Sequence, residues 1–250
     1  MATLPPVYCR GLALAFLTAL AVSGVGCATA AEPNPAHYRY FSAPAAHDAW
    51  SPKIAGWQRR ALREEAAQEA MPLPAVSEAA AGETVPSSTN DAPDLRAKYL
   101  NFRADRKRAL AREVASWVQS QAPIHYVEDG VIDHWATLEE TLASNGDDCD
   151  GLELLTFHAL RDLGFGSDEV FRAVIFRPDD GQHHMVTLWF EDTNDPWVID
   201  PTGAMTLGMP RMSEFPGWVP LKLFTDRVEF TVQSSDPSSG SYLAAHDELP

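Results

Sequence analysis

The sequence predicts an α+β domain whose helices precede an antiparallel sheet. Residues 57–70 read as a helix rich in Ala, Arg and Glu, and residues 95–121 and 152–164 carry apolar side chains at helical spacing. Beyond residue 170 the period shortens, and five segments rich in Val, Ile, Leu, Phe and Trp follow one another between Asp-, Asn-, Gly- and Pro-containing turns. With 250 residues, 45% of them hydrophobic, the chain can bury a full core.

Residues 1–31 read as an export signal, with the basic Arg10, an apolar run over 11–25 and the small-residue site Ala28-Thr29-Ala30. The run is shorter than the roughly 20 apolar residues a membrane span needs, so cleavage and release into the periplasm are expected. Cys27, after Gly24-Val25-Gly26, leaves open a lipoprotein signal and with it a membrane attachment.

Residues 32–70 supply Tyr38, Tyr40, Phe41, Trp50, Ile54 and Trp57, enough apolar surface to dock as an arm on a larger body. Residues 71–93 turn to Pro, Ala, Ser, Gly and Glu and read as a flexible linker. Residues 94–233 form the main domain, and residues 234–250 a Ser- and Asp-rich disordered tail.

Within the main domain, residues 95–121 form a helix bearing Arg103, Arg106, Lys107, Arg108 and Arg112, expected to be a solvated face. Residues 124–129 read as an extended piece, and 133–142 as a helix or turn in which Trp135 covers the core. The strands are expected at 170–176, 184–190, 197–200, 218–224 and 227–232. A net charge of −16 argues against nucleic acid and against an anionic membrane surface as partners.

The chemistry concentrates at Asn145-Gly146-Asp147-Asp148-Cys149-Asp150-Gly151. Leu152, Leu155, Ala159, Leu160 and Leu163 define one helical face, Asp147 or Asp148 can cap its start, and Gly164 can end it. Cys149 then occupies the first turn, where free backbone N–H groups and the helix dipole favour a thiolate. Cys9 and Cys27 fall in the export segment, so no disulfide can form in the remaining chain.

Partners for the thiol come from the strands. A hairpin closing near Asp192 would put His184 directly opposite Asp200. In such a set Cys149 is the nucleophile, His184 the base and then the acid, and Asp200 the group that fixes the imidazole tautomer. His183 and His184 are adjacent and point to opposite sheet faces, and no zinc-type spacing is present, so metal hydrolysis fits less well. Peptide hydrolysis, a transglutaminase- or amidase-type acyl transfer on the same triad, and a non-catalytic binding module all stay open at this point.

Three blocks, Gly146-Asp147-Asp148-Cys149-Asp150, His184-Met185-Val186 and Val198-Ile199-Asp200, resemble the signature segments of the bacterial transglutaminase-like cysteine proteinases. The likeness runs over about residues 95–224 and includes Ile124-His125-Tyr126-Val127-Glu128-Asp129 and the run from Asp133 to Glu139. It implies a papain-like, transglutaminase-like fold with the cysteine at a helix start packed on the sheet. It further implies a periplasmic cysteine endopeptidase acting on a surface or periplasmic protein under an inner-membrane regulatory receptor, with triad roles for Cys149, His184 and Asp200.

The resemblance also implies calcium at Asp148 and Asp150, although the acyl chemistry itself requires no cofactor. Carboxylates beside a thiolate oppose its charge unless a cation compensates them. Gly151 departs from the family, which often has another acidic residue there.

Overall fold

The computed structural model describes residues 38–69, 94–130, 132–215 and 217–234. The export segment with Cys27, the 71–93 linker and residues 235–250 of the tail lie outside the described residues. No described helix is long and apolar enough to cross a membrane.

The order of elements is β1 (Tyr38–Ser42), α1 (Ser51–Glu69), α2 (Leu95–His125), α3 (Leu138–Ser144), α4 (Cys149–Asp162), β2 (Val170–Arg177), β3 (Gln182–Trp189), β4 (Trp197–Ile199), β5 (Val219–Phe224) and β6 (Glu229–Ser234). The architecture is α+β, as the sequence predicts. All strand pairings are antiparallel, in the order β1-β6-β5-β2-β3-β4. The sixth strand is β1, which comes from the arm and adds to the β6 edge through Tyr38↔Ser234 and Arg39↔Gln233. Its alternation is too short to stand out in the sequence, and β6 runs to Ser234, one residue into the expected tail.

Two apolar clusters cover the two faces of the sheet. On the helical side, Ile54 and Trp57 of α1, Val114 and Val118 of α2, and Leu154, Phe157 and Leu160 of α4 pack on Val174, Phe176, Met185 and Trp189. The other face gathers Tyr40, Phe171, Ile175, Val186, Leu188, Val198 and Leu223. Trp57 also donates from Nε1 to the Ala136 carbonyl oxygen at 3.1 Å, so the arm is bonded to the body as well as packed on it.

α4 differs from the single apolar stripe expected of it. Leu163 is exposed, whereas Glu153, Leu154, Thr156 and Phe157 are buried along with Leu152 and Leu160. The helix touches α2, α3, β2 and β3, so most of its circumference is covered and the polar Glu153 must find a partner inside. α2 runs through Pro123 to His125, so the extended piece expected at 124–129 begins only at Tyr126, which bridges Asp147. Within the basic cluster, Arg103 and Arg106 are exposed as expected, while Lys107 pairs with Glu169 at 2.5 Å and Arg108 with Glu191 at 2.8 Å, tying α2 to the sheet side.

Candidate active site

The loop before α4 is fixed by its own polar groups. Thr137 and Glu140 form a capping box at the start of α3, and Asn145 closes that helix in the left-handed region at φ 55°. Gly146 then brings the chain against the His125 carbonyl, and Asp147 N donates to that oxygen at 3.0 Å. Asp148 is the N-cap of α4, its Oδ1 accepting from Asp150 N at 3.0 Å, which leaves Cys149 as the first helical residue. The backbone N–H of Cys149 is thus one of the amides for which the helix has no carbonyl.

β3 and β4 pair as Thr187↔Ile199, Leu188↔Val198 and Trp189↔Trp197. One step further along that ladder Asp200 stands beside Val186, not beside His184 as the sequence suggests, because the connecting turn is centred one residue later. The shift keeps both side chains on the same face, and as diagonal neighbours they remain within reach. His184 Nε2 lies 2.8 Å from Asp200 Oδ1.

Asp200 is fully buried, and every contact it makes favours its anion. Oδ1 also accepts from the Thr202 N–H at 3.0 Å and the Thr202 hydroxyl at 2.8 Å, and Oδ2 from the N–H groups of Met205 at 2.8 Å and Thr206 at 3.2 Å. Burial alone would raise this carboxyl, but the hydrogen bond and charge of His184 and these donors together hold it below the usual carboxylate range. With Nε2 engaged, Nδ1 is the His184 nitrogen left for proton exchange.

Cys149 is the one free cysteine among the described residues. Two cavities of about 370 and 420 Å³ share Cys149, Gln182, His183 and His184. Trp50, Asp133 and Trp135 line the first, Pro123, Tyr126 and Thr202 the second. The thiol therefore sits where a groove passes it on two sides. Trp135 is buried between Trp50 and Phe224, in the core-covering role expected of it, and also reaches the first cavity.

The electrostatics differ from the expectation for a helix terminus. Burial pushes the Cys149 thiol up to about 12, Asp148, Asp150 and Asp200 push the same way, and the Met185 backbone N–H pulls against them. Desolvation and like charge outweigh the dipole here, so the resting sulfur is a thiol. Burial, and then the Asp148 carboxylate, likewise raise Asp150 far above the usual carboxylate range.

Three supports were not anticipated. Gln119 of α2 donates to the Asp200 carbonyl oxygen at 3.0 Å and accepts from Gly208 N at 3.0 Å, bracing the loop that holds the carboxylate. Arg172 and Glu153 form a buried pair beneath α4, with the Thr187 hydroxyl donating to Glu153 at 2.6 Å. Arg172 in the middle of an apolar strand was a readable signal, since a buried guanidinium requires an acid. The third support is Lys53, whose ammonium pairs with Asp133 and lies 4.5 Å from the centre of the Trp135 ring.

The carboxylates around Cys149 alone supply fewer oxygens than the six to eight that a calcium ion takes. Asp148 Oδ1 caps Asp150, while Asp147 Oδ1 accepts from Asp148 N and Oδ2 from the Thr141 hydroxyl. Asp150 Oδ2 alone is buried without a partner, and Gly151 brings no ligand. Among the described residues no group of three or more His, Cys, Asp or Glu side chains is placed to hold a metal ion.

No family model matches the chain. No curated protein matches it either. The solved structures to which the chain is similar include those of Legionella pneumophila LapG. The EGTA-treated form has a TM-score of 0.45, 18% identity, and a match over 61% of this chain and 87% of that one. A second LapG structure has 0.44 and 18%, over 61% and 85%. The calcium-bound form has 0.43 and 18%, over 61% and 91%.

Proposed function

We propose that the chain is an exported, periplasmic cysteine peptidase that hydrolyses peptide bonds with Cys149, His184 and Asp200. The observation that carries this reading is the pairing of a buried, ionised Asp200 with His184 Nε2 in a groove that also exposes the thiol at the start of α4.

The groove suits an extended polypeptide because it has room on both sides of the sulfur. With the scissile carbonyl over Cys149, its oxygen faces the Cys149 N–H, which opposes the charge that develops there. His184 Nδ1 takes the thiol proton as Sγ attacks, and the raised resting value of the thiol makes this a proton transfer concerted with attack. The imidazolium so formed is stabilised by Asp200 and then protonates the leaving amine. Water, deprotonated by the same nitrogen, releases the acyl group from sulfur. A surface or periplasmic protein is the substrate class, and control by an inner-membrane receptor belongs to the same proposal.

The test is digestion of an unfolded protein probe by the full chain, with Cys149→Ala alongside and a primary amine added. Fragments from the wild type and none from the variant are expected. Amine joined to the new carboxyl ends would move the assignment to acyl transfer. Absence of cleavage, together with a Cys149 no more reactive than a free thiol in an unfolded peptide, would overturn the enzyme reading.

A further inference from the structure

The first turns of α2 stand apart from the body. Every residue from Asp94 to Arg103 is exposed, and the first side chain of the helix bonded to the sheet side is Lys107, paired with Glu169. At 1.5 Å per residue, Leu95 lies about 18 Å along the axis from that point.

This end of the helix carries apolar side chains that do no packing. Leu95, Tyr99 and Phe102 are 80%, 59% and 64% exposed. At about 100° per residue the three fall within about 60° of one another, and the stripe is turned about 150° from Ala111, Val114, Ala115, Val118 and Ala122, which α2 buries against the body. One helix thus has two apolar faces, and only one of them is used by the fold.

The unused stripe is edged by cations. Arg96 and Arg103 lie along one side and Lys98 along the other, and Arg106 continues the line of the stripe one turn beyond Phe102. Among the described residues none of these four is paired with a carboxylate. The two acids of the segment are engaged elsewhere, Asp94 as the N-cap that accepts from Arg96 N at 3.1 Å and Asp105 as the partner of Arg108 at 2.9 Å. The end of α2 is therefore a local positive patch on a chain of net charge −16.

That composition selects the occupant. Two copies of the stripe laid together would set unpaired cations against unpaired cations. A flat anionic surface meets both edges at once, with Leu95 and Phe102 entering the acyl boundary, Tyr99 at headgroup level and the basic side chains reaching the phosphates. The net charge of the chain opposes such a surface, but the Debye length at physiological salt is about 8 Å. The acids where α2 joins the sheet side, Glu169 and Glu191, stand about two such lengths away and are already neutralised by Lys107 and Arg108.

We infer that the exposed end of α2, through Leu95, Tyr99 and Phe102 with Arg96, Lys98, Arg103 and Arg106, docks the protein on the surface of an anionic lipid membrane. The contact is peripheral and reversible, since three anchors and four cations fall far short of a membrane span. It goes beyond the peptidase reading and is independent of it.

The experiment is co-sedimentation of the full chain with vesicles of phosphatidylcholine alone or of equal parts phosphatidylcholine and phosphatidylglycerol. Cys27→Ser is present in every form, so that no lipid attachment contributes. The protein binds the phosphatidylglycerol vesicles and leaves them as salt is raised to about 1 M, where the Debye length is about 3 Å. Lys98→Gln/Arg103→Gln weakens the partition by about tenfold or more, at about fivefold per cation. Leu95→Gln/Tyr99→Gln/Phe102→Gln weakens it by about tenfold or more as well, a loss that a purely electrostatic contact would not show. All these positions are exposed and glutamine keeps the helix, so both variants fold, and both cleave a soluble protein probe as the wild type does.

Wild-type protein that stays in solution with both vesicles would overturn the inference and leave the stripe for a protein partner. Binding that ignores lipid charge, salt and both sets of substitutions would overturn it too, because the contact would then lie elsewhere on the chain. Loss of probe cleavage in the wild type bears on the peptidase reading alone.

Discussion

Arg172 ties the helix that carries Cys149 to the sheet that carries His184. Its Nη2 donates to the Asp150 carbonyl oxygen at 2.8 Å, its Nε to Glu153, and its guanidinium lies 4.4 Å from the centre of the Trp57 ring. Arg172 and Glu153 are both fully buried. Removing one member strands the other, so Arg172→Met should destabilise the fold by about 3–5 kcal/mol. Adding Glu153→Gln should recover a large part of that loss, because the uncompensated charge is then gone. Urea unfolding of the two variants measures both numbers.

Asp200 and Cys149 set opposite limbs of the stability profile. A carboxyl held below its unfolded value, near 3.9, stabilises the fold above that value, and the contribution is lost as pH falls through the lower folded value. Unfolding free energy should therefore drop more steeply in strong acid for the wild type than for Asp200→Asn. Cys149 runs the other way: its thiol, pushed up to about 12 in the fold, contributes fully below an unfolded value of about 8.5 and loses that contribution as pH rises toward the folded one. Cys149→Ala should flatten the alkaline limb. Chemical unfolding across the pH range reads both slopes.

Gln119 acts on Asp200 through the loop behind it. Gln119→Ala removes the amide contacts to the Asp200 carbonyl oxygen and to Gly208 N, at a cost of about 1–3 kcal/mol for groups left without partners. Since the carboxylate keeps its own donors, the variant should fold, with the His184–Asp200 contact loosened and turnover reduced more than substrate affinity. Kinetics on a cleaved peptide separate kcat from KM, and a change in KM alone would argue against the bracing role.

The parts of this molecule that were legible in the sequence share a physical property: they are local. Five strands, the start of α4 at Cys149 and its end before Gly164 follow from period, capping and turn chemistry among neighbours in the chain. The pairing of His184 with Asp200 was legible through hairpin logic even though the register was off by two residues, since a shift of two preserves the face. What could not be read depends on distant segments. β1 exists because β6 offers it an edge, α4 is buried on most sides because four elements surround it, and Lys53 meets Asp133 and the Trp135 ring only because α1 is clamped to Trp135 and Ala136. The raised thiol is of the same kind: helix position is a local property, while desolvation and the sum of nearby charges are not.

Gly151 offers a test of how tightly the loop before α4 is built. Alanine at an interior helical position usually stabilises relative to glycine by up to about 1 kcal/mol. Here a Cβ would fall inside contact distance of the Asp147 side chain, both its Cβ and its carboxylate. Asp147 cannot swing aside without giving up the Thr141 hydroxyl at 3.0 Å and the Asp148 N–H at 3.0 Å, and Asp148 is the cap on which the position of Cys149 depends. The sign should therefore invert, with Gly151→Ala less stable than wild type by about 1–3 kcal/mol. Asp147→Gly in the same chain removes the obstruction and should recover part of the loss, although the Thr141 contact stays broken. Thermal unfolding of the single and double variants decides the point: a Gly151→Ala protein as stable as wild type would mean that Asp147 is free to move and that the loop is held by the backbone bonds of Gly146 and Asp147 alone.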